Sequence, residues 1–196
     1  MGQPAFRARF SQRVLHKALG LPPGVSTTIA ASLGSEAKAR IEREVSSGWV
    51  AADDHIALAE AVASVLDEAA YARFWRDVMR EELDGPLLRH VVAPIARLFG
   101  LTPASLAKHA PTAWPLIVRE GGALRFCDLG AGRCELLLEG FSATHLASEP
   151  FVRGYAASLE AFLDVSELEG SVSTHDLDLS KPSVRFLFEW SRADRA

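Results

Sequence analysis

The segment from Leu124 to Glu139 constrains the fold most, because two short apolar runs flank a glycine-rich turn. Gly130 and Gly132 tolerate the positive φ angles that tight hairpin turns require. We therefore predict an antiparallel hairpin centred on Gly130-Ala131, with Cys134 to Glu139 as its second arm. The simplest register pairs Asp128 with Arg133 and Cys127 with Cys134, whereas a longer loop with a bulge would shift it.

The sequence that follows this hairpin predicts a helix and then two more strands. The apolar residues from Glu149 to Leu163 recur at helical spacing, and Gly154 within this run indicates close backbone packing there. Residues 171–179 and 184–190 alternate in the manner of half-buried strands, and Lys181-Pro182 connects them.

In the first half of the chain, the spacing of apolar residues predicts several helices, each with an apolar stripe. They are Glu36 to Val45, a helix that starts at Asp53, Glu68 to Leu83, Pro86 to Phe99, and a short one from Thr102 to His109 that Pro111 ends. Pro94 is expected to kink or split the fourth of these. The element order is helices-ββ-α-ββ, so we predict an α+β fold in which an N-terminal helical layer packs on a small antiparallel sheet.

Length and composition allow one compact unit. The chain has 196 residues, of which 48% are hydrophobic and 23% are charged, enough for a sizeable core. We expect residues 48–196 to form an α+β domain of the ligand-binding kind. Residues 1–47 are expected to form a helical extension or arm.

Charge and hydropathy limit the classes of partner that this chain is expected to bind. A net charge of −4 gives no attraction for phosphate backbones, so nucleic acid is not expected as a partner. No apolar run is long enough to span a membrane. Two cysteines and no recognisable export signal predict a cytoplasmic location.

Several short motifs resemble, in the same order, a paralogous myxobacterial family whose function is not known. The resemblance covers roughly residues 49–190 and rests on apolar and glycine patterns. The motifs are Asp84-Gly85-Pro86-Leu87-Leu88, Ala110-Pro111-Thr112-Ala113-Trp114, Leu129-Gly130-Ala131-Gly132-Arg133, residues 151–161, and Arg185-Phe186-Leu187-Phe188-Glu189-Trp190.

The plan of elements is also similar to a fold shared by heme-nitric-oxide-binding domains, vinyl-reductase-type ligand-sensing domains and small subunits of the TRAPP tethering complex. That resemblance implies a hydrophobic ligand or a protein partner held between sheet and helices, and it transfers no catalytic residue. The apolar faces of the predicted helices supply the residues that would line such a pocket: Leu88, Val92, Phe99, Trp114, Phe151 and Tyr155.

An alternative interpretation makes the chain an enzyme. Asp128-x-Gly130-x-Gly132 looks like the first motif of S-adenosylmethionine-dependent methyltransferases, and Glu149 lies where those enzymes place a ribose-binding carboxylate. Against it, Cys134 stands in place of a third glycine, and too few residues follow Gly132 for a doubly wound parallel sheet.

Metal and heme sites have little support. The histidines are scattered, and only His90 and His109 lie on helices near long apolar runs, where a heme would need its ligand. The other histidines are expected to be solvated. Cys127 and Cys134 are expected to be small buried hydrophobes, since no spacing supplies further zinc ligands.

Together these patterns predict a non-enzymatic domain, without cofactor or metal, that binds a small apolar molecule or a protein partner in a signalling or regulatory role. An apolar face left on the Pro86–Phe99 helix would favour homodimerisation. The methyltransferase is the alternative.

Overall fold

The computed structural model describes residues 2–86 and 88–191, without the side chain of Phe99. Its elements in chain order are β1 (Ala5–Arg7), α1 (Ala8–Leu19), α2 (Pro23–Leu33), α3 (Ser35–Arg43), β2 (Trp49–Ala51), α4 (Ala52–Ala63), α5 (Glu68–Leu83), α6 (Arg89–Phe99), α7 (Pro103–Ile117), β3 (Val118–Arg119), β4 (Ala123–Gly130), β5 (Arg133–Glu139), α8 (Ala143–Leu146), α9 (Glu149–Leu159), α10 (Ala161–Asp164), β6 (Glu169–Asp178) and β7 (Ser183–Ser191).

A four-stranded antiparallel sheet in the order β4-β5-β7-β6 forms one layer of the molecule. Its inner face carries Leu136, Leu138, Phe186 and Phe188, each of which is buried. Helices α7, α9 and α10 pack on this sheet. The α+β class and the order helices-ββ-α-ββ are thus confirmed.

A second, smaller sheet has the order β2-β1-β3, and β1 at its centre pairs antiparallel with both neighbours. Apolar residues of α1, α2 and α3, among them Val14, Ile29 and Ile41, belong to the same buried cluster as the inner face of the large sheet. The first 47 residues therefore contribute to one continuous hydrophobic core.

The hairpin forms as predicted, but its register is the bulged alternative. Asp128 pairs with Cys134 and Gly130 with Arg133, with an irregularity between residues 128 and 130. Gly130, Ala131 and Gly132 all have positive φ, and the Asp128 carboxylate accepts a hydrogen bond from the Gly130 N–H. Consequently the predicted pairing of Asp128 with Arg133 is wrong, and Arg133 forms an ion pair with Glu189 instead.

The prediction that Pro111 ends a short helix is wrong, since α7 continues through Pro111 and Pro115 to Ile117. Each proline removes one backbone hydrogen bond, at a cost of about 3 kcal/mol in an ordinary helix. Burial offsets this cost, because Ala110, Trp114 and Ile117 are packed in the core at helical spacing. Similarly, α6 keeps Pro94 inside one helix, although it starts only at Arg89.

Glu82, on α5, is a buried carboxylate that forms an ion pair with Arg13. Its side chain is fully buried, neither oxygen has a hydrogen-bond partner among the described residues, and Arg13 Nη1 lies 3.1 Å from Oε2. Burial raises the pKa of Glu82, although Arg13 and Arg9 act in the opposite direction. The folded state therefore holds the Glu82 proton more tightly than the unfolded chain does, and this contribution to stability declines as pH rises through the raised pKa.

We expect the free energy of unfolding of the wild type, relative to that of Glu82→Gln, to fall between pH 4 and pH 7. Chemical denaturation of both proteins at several pH values measures this difference. Glu68→Gln is the control, since Glu68 is exposed in the first turn of the same helix. A relative stability that rises with pH would mean that the Arg13 ion pair outweighs the desolvation of the carboxylate.

Candidate functional site

An apolar cavity lies among the helices, and Leu124 of β4 reaches it from the large sheet. It contains about 70 Å³ of free space and is bordered by residues of β1, α1, α4, α5, α6, α7, β4, α9 and α10. Most of its lining is aliphatic or aromatic. Such a cavity stays dry, because water inside it would find too few polar partners.

A stack of three aromatic side chains closes one side of the cavity. The ring of His55 lies 4.0 Å from that of Phe6, with 20° between their planes, and 5.4 Å from that of Phe10. Trp75 meets His55 edge-on at 5.9 Å. His55 Nδ1 and the buried Ser11 Oγ share a hydrogen bond of 3.0 Å, which holds the imidazole in one orientation.

His55 is therefore a core residue, and the expectation that it would be solvated is wrong. Burial lowers the pKa of His55 to about 3, so the imidazole stays neutral at physiological pH. The sequence did hold a signal for its position. His55, Leu58, Ala59 and Val62 follow helical spacing along α4, which places the imidazole on the apolar face.

The other end of the cavity is formed by α6, α7 and α9. His109 of α7 borders the free space, as do Trp114 and Tyr155, whose rings meet edge-to-face at 5.5 Å. Burial raises the pKa of the Tyr155 hydroxyl far above its ordinary value, so this side chain is neutral. Of the two helical histidines singled out from the sequence, His90 is exposed on α6 and only His109 reaches the cavity.

Five of the six residues selected as pocket lining border this cavity. They are Leu88, Val92, Trp114, Phe151 and Tyr155. The side chain of Phe99 lies outside the described residues. Sequence reasoning missed Phe6, Phe10, His55 and Trp75, which reach the cavity from segments far apart in the chain.

The residues selected for the methyltransferase alternative do not form a nucleotide cradle. Gly130 and Gly132 lie in the turn of an antiparallel hairpin, and strand β5 rather than a helix follows them. A Cβ at Gly132 would lie 2.4 Å from the Trp190 carbonyl oxygen, so the backbone there already packs against β7. Glu149 starts α9 and pairs with Arg153, 3.1 Å away. No hydrogen bond or ion pair within residues 2–86 and 88–191 joins it to the turn.

The two cysteines lie on opposite faces of the large sheet. Cys127 is opposite Glu135 and exposed, whereas Cys134 is opposite Asp128 and fully buried. Both are free thiols. Burial raises the pKa of Cys134 to about 12, so this thiol is protonated and unreactive. The expectation of a small buried hydrophobe holds for Cys134 and is wrong for Cys127.

Charged groups are kept away from the cavity. Its described lining residues include no lysine or arginine. Ion pairs lie elsewhere, for example between Arg76 and Asp164 and, on the outer face of the sheet, between Arg185 and Glu135. In the described part of the chain no cluster of three or more metal-ligating side chains occurs. No described helix is long and apolar enough to cross a membrane.

Comparison with known proteins gives structural likeness only. No family model matches the sequence, and no curated protein matches it. Among solved structures, the Fe(II) unliganded H-NOX protein from K. algicida superposes with a TM-score of 0.65 at 6% identity, over 97% of this chain and 99% of that one.

Two further H-NOX structures align over 95% of this chain at 10% identity, each with a TM-score of 0.61. One is the S. oneidensis protein in its Fe(II)NO state, matched over 99% of its length. The other, matched over 95% of its length, was solved to probe heme distortion in the H-NOX family. The expected likeness to heme-nitric-oxide-binding domains is thus confirmed at the level of the fold, and kinship with the myxobacterial family stays a prediction. The chain has an H-NOX-like fold.

Proposed function

We propose that this chain is a non-enzymatic ligand-sensing domain that binds a small apolar molecule in the cavity among the helices. The observation that carries the proposal is the cavity itself, an apolar space lined by side chains of several helices and, from the large sheet, by Leu124. Well-formed apolar pockets with a few polar groups are the usual ligand sites of folded domains. Here the polar groups are His55, His109 and Tyr155, and the first and last of these are neutral.

The fold supports the same proposal. Solved H-NOX structures of very low identity are described in Fe(II) unliganded and Fe(II)NO states, so the shared architecture is one in which small molecules are bound. A bound molecule in this chain would touch α1, α6, α7 and α9 together. The bound molecule would change how the helices pack on one another. A partner protein in a signalling pathway would then bind one of the two conformations more tightly than the other.

Xenon tests the cavity directly, because dry apolar cavities bind it. We expect amide chemical shifts of residues around the cavity to change saturably when the purified protein is equilibrated with xenon. Ala110→Leu should abolish the change, since Ala110 is buried at the cavity wall and the added carbons fill the free space.

Ala104→Leu is the control for this experiment, because Ala104 lies on the same helix but does not border the cavity. This variant should keep the xenon response. Should Ala110→Leu fail to fold, Ala113→Leu occupies the same wall. Absence of any response in the wild type, or an equal response in Ala110→Leu, would refute the proposal.

A further inference from the structure

The H-NOX-like fold raises the question of heme, since a solved H-NOX structure was determined to probe heme distortion. One requirement is present in this chain. The imidazole of His109 borders the cavity from α7, and a histidine nitrogen is a common axial ligand of heme iron. A donor alone does not make a heme site, however, because the macrocycle and its carboxylates must also be accommodated.

Space is the first obstacle. The cavity holds about 70 Å³, whereas an engineered cavity of about 150 Å³ accommodates benzene. Heme is many times larger than benzene. Protein interiors are close-packed and do not deform continuously, so a macrocycle would have to displace side chains that now fill the interior.

The stacked rings of Phe6, His55 and Phe10 fill the part of the interior that a macrocycle would need. Phe6, His55 and Phe10 are each at most 4% exposed. The ring of His55 contacts those of Phe6, Phe10 and Trp75. Phe6 also meets Phe151 edge-on at 6.0 Å. The hydrogen bond between Ser11 Oγ and Nδ1 of His55 fixes the imidazole within this stack. Moving these rings aside would break contacts on every side.

Charge is the second obstacle. Heme carries two carboxylates, and a buried carboxylate needs a cation or several hydrogen bonds to offset its desolvation. None of the described lining residues is a lysine or an arginine. The Ser158 hydroxyl, at the cavity wall, already donates to the Gly154 carbonyl. The donor set therefore suits a neutral apolar guest and not a dianionic macrocycle.

We infer that this chain binds its ligand without heme, in a cavity of about 70 Å³ that its own aromatic side chains restrict to apolar guests smaller than benzene. The inference rests on the proposed function and specifies its ligand class. It follows that the guest itself, and not an iron-bound gas, is what the domain detects.

Hemin titration of the purified full chain is the test, followed by its absorption in the Soret region and run beside the xenon measurement. We expect no saturable Soret shift, while xenon binds. A saturable one-to-one shift that His109→Ala abolishes and His90→Ala leaves intact would overturn the inference, because His90 is exposed and does not border the cavity. A failed xenon response without a hemin shift would instead refute the proposed function.

A size-expanded variant tests the role of the stack. Phe10→Ala removes one ring from the cavity wall, and it should bind benzene more tightly than the wild type does, by isothermal titration or amide shifts. Phe10→Leu is the milder substitute if the alanine variant does not fold, since the cost of a large-to-small change in a core grows with the volume removed. Equal affinity of wild type and variant for benzene would show that the stack does not limit the guest.

Discussion

Acidification from pH 7 to pH 5 should lower the free energy of unfolding by about 2 kcal/mol through His55 alone. Burial holds the pKa of this imidazole at about 3 in the folded protein, against 6.5 for a solvated imidazole. Below pH 6.5 the His55 imidazole binds a proton in the unfolded chain but stays neutral in the folded protein. The stabilising contribution is therefore complete above pH 6.5 and is lost progressively as pH falls toward 3.

Urea denaturation of the wild type and His55→Phe at pH 7, 6 and 5 measures this effect. His55→Phe retains an aromatic ring in the stack but has no proton to gain, so its stability should vary less across this range. His16→Gln serves as the control, because His16 is exposed on α1, and it should follow the wild type. Equal pH dependence in wild type and His55→Phe would show that the imidazole is not held neutral.

Replacing Gly154 with alanine should destabilise the protein by about 1–3 kcal/mol, the usual cost of overpacking a core. A Cβ at this position would lie 2.8 Å from the Tyr71 hydroxyl oxygen, 2.8 Å from Trp75 Nε1 and 3.0 Å from Trp75 Cδ1. Tyr71 cannot retreat easily, since it is fully buried and its hydroxyl donates to the Pro150 carbonyl at 2.7 Å. The sequence predicted close backbone packing at Gly154; the space beside it is instead filled by two side chains of α5.

Gly24→Ala is the contrasting substitution. Gly24 lies in α2, and a Cβ there would meet nothing within 4 Å. Alanine at such a site should stabilise the protein by about 0.4–1 kcal/mol, because it reduces the freedom of the unfolded chain. Thermal denaturation of the two variants should move the melting temperature in opposite directions. A Gly154→Ala protein as stable as the wild type would mean that α5 and α9 separate at little cost.

Local patterns predicted the sheet and most helices of this chain. The turn at Gly130-Ala131, the alternation in β6 and β7 and the stripe of α9 each depend on residues close in sequence. The register of the hairpin was less certain, because one extra residue at the bulge shifts every cross-strand pair. The end of α7 was predicted wrongly for a related reason. The loss of a backbone hydrogen bond at Pro111 can be read from the sequence, whereas the burial of Trp114 and Ile117 that offsets this cost cannot.

Only part of the cavity lining could be predicted from the sequence. Its α7 and α9 walls follow from helical stripes, so Trp114 and Tyr155 could be chosen without a structure. The opposite wall brings Phe6, Ser11 and His55 together from positions up to 49 residues apart in the chain. A small strand pairing holds β1 beside β2, and nothing in the composition of residues 1–47 indicated that contact.

The placement of Cys127 and Cys134 on opposite faces of β4 and β5 has a chemical consequence. A disulfide requires two Cβ atoms that point toward each other at about 3.8 Å, and neighbouring strand positions with opposite orientation do not provide it. Oxidants can modify the exposed sulfur of Cys127 but cannot crosslink this hairpin unless a strand slips by one residue. Within this hairpin, oxidation therefore acts on Cys127 alone, and Cys134 stays a buried thiol.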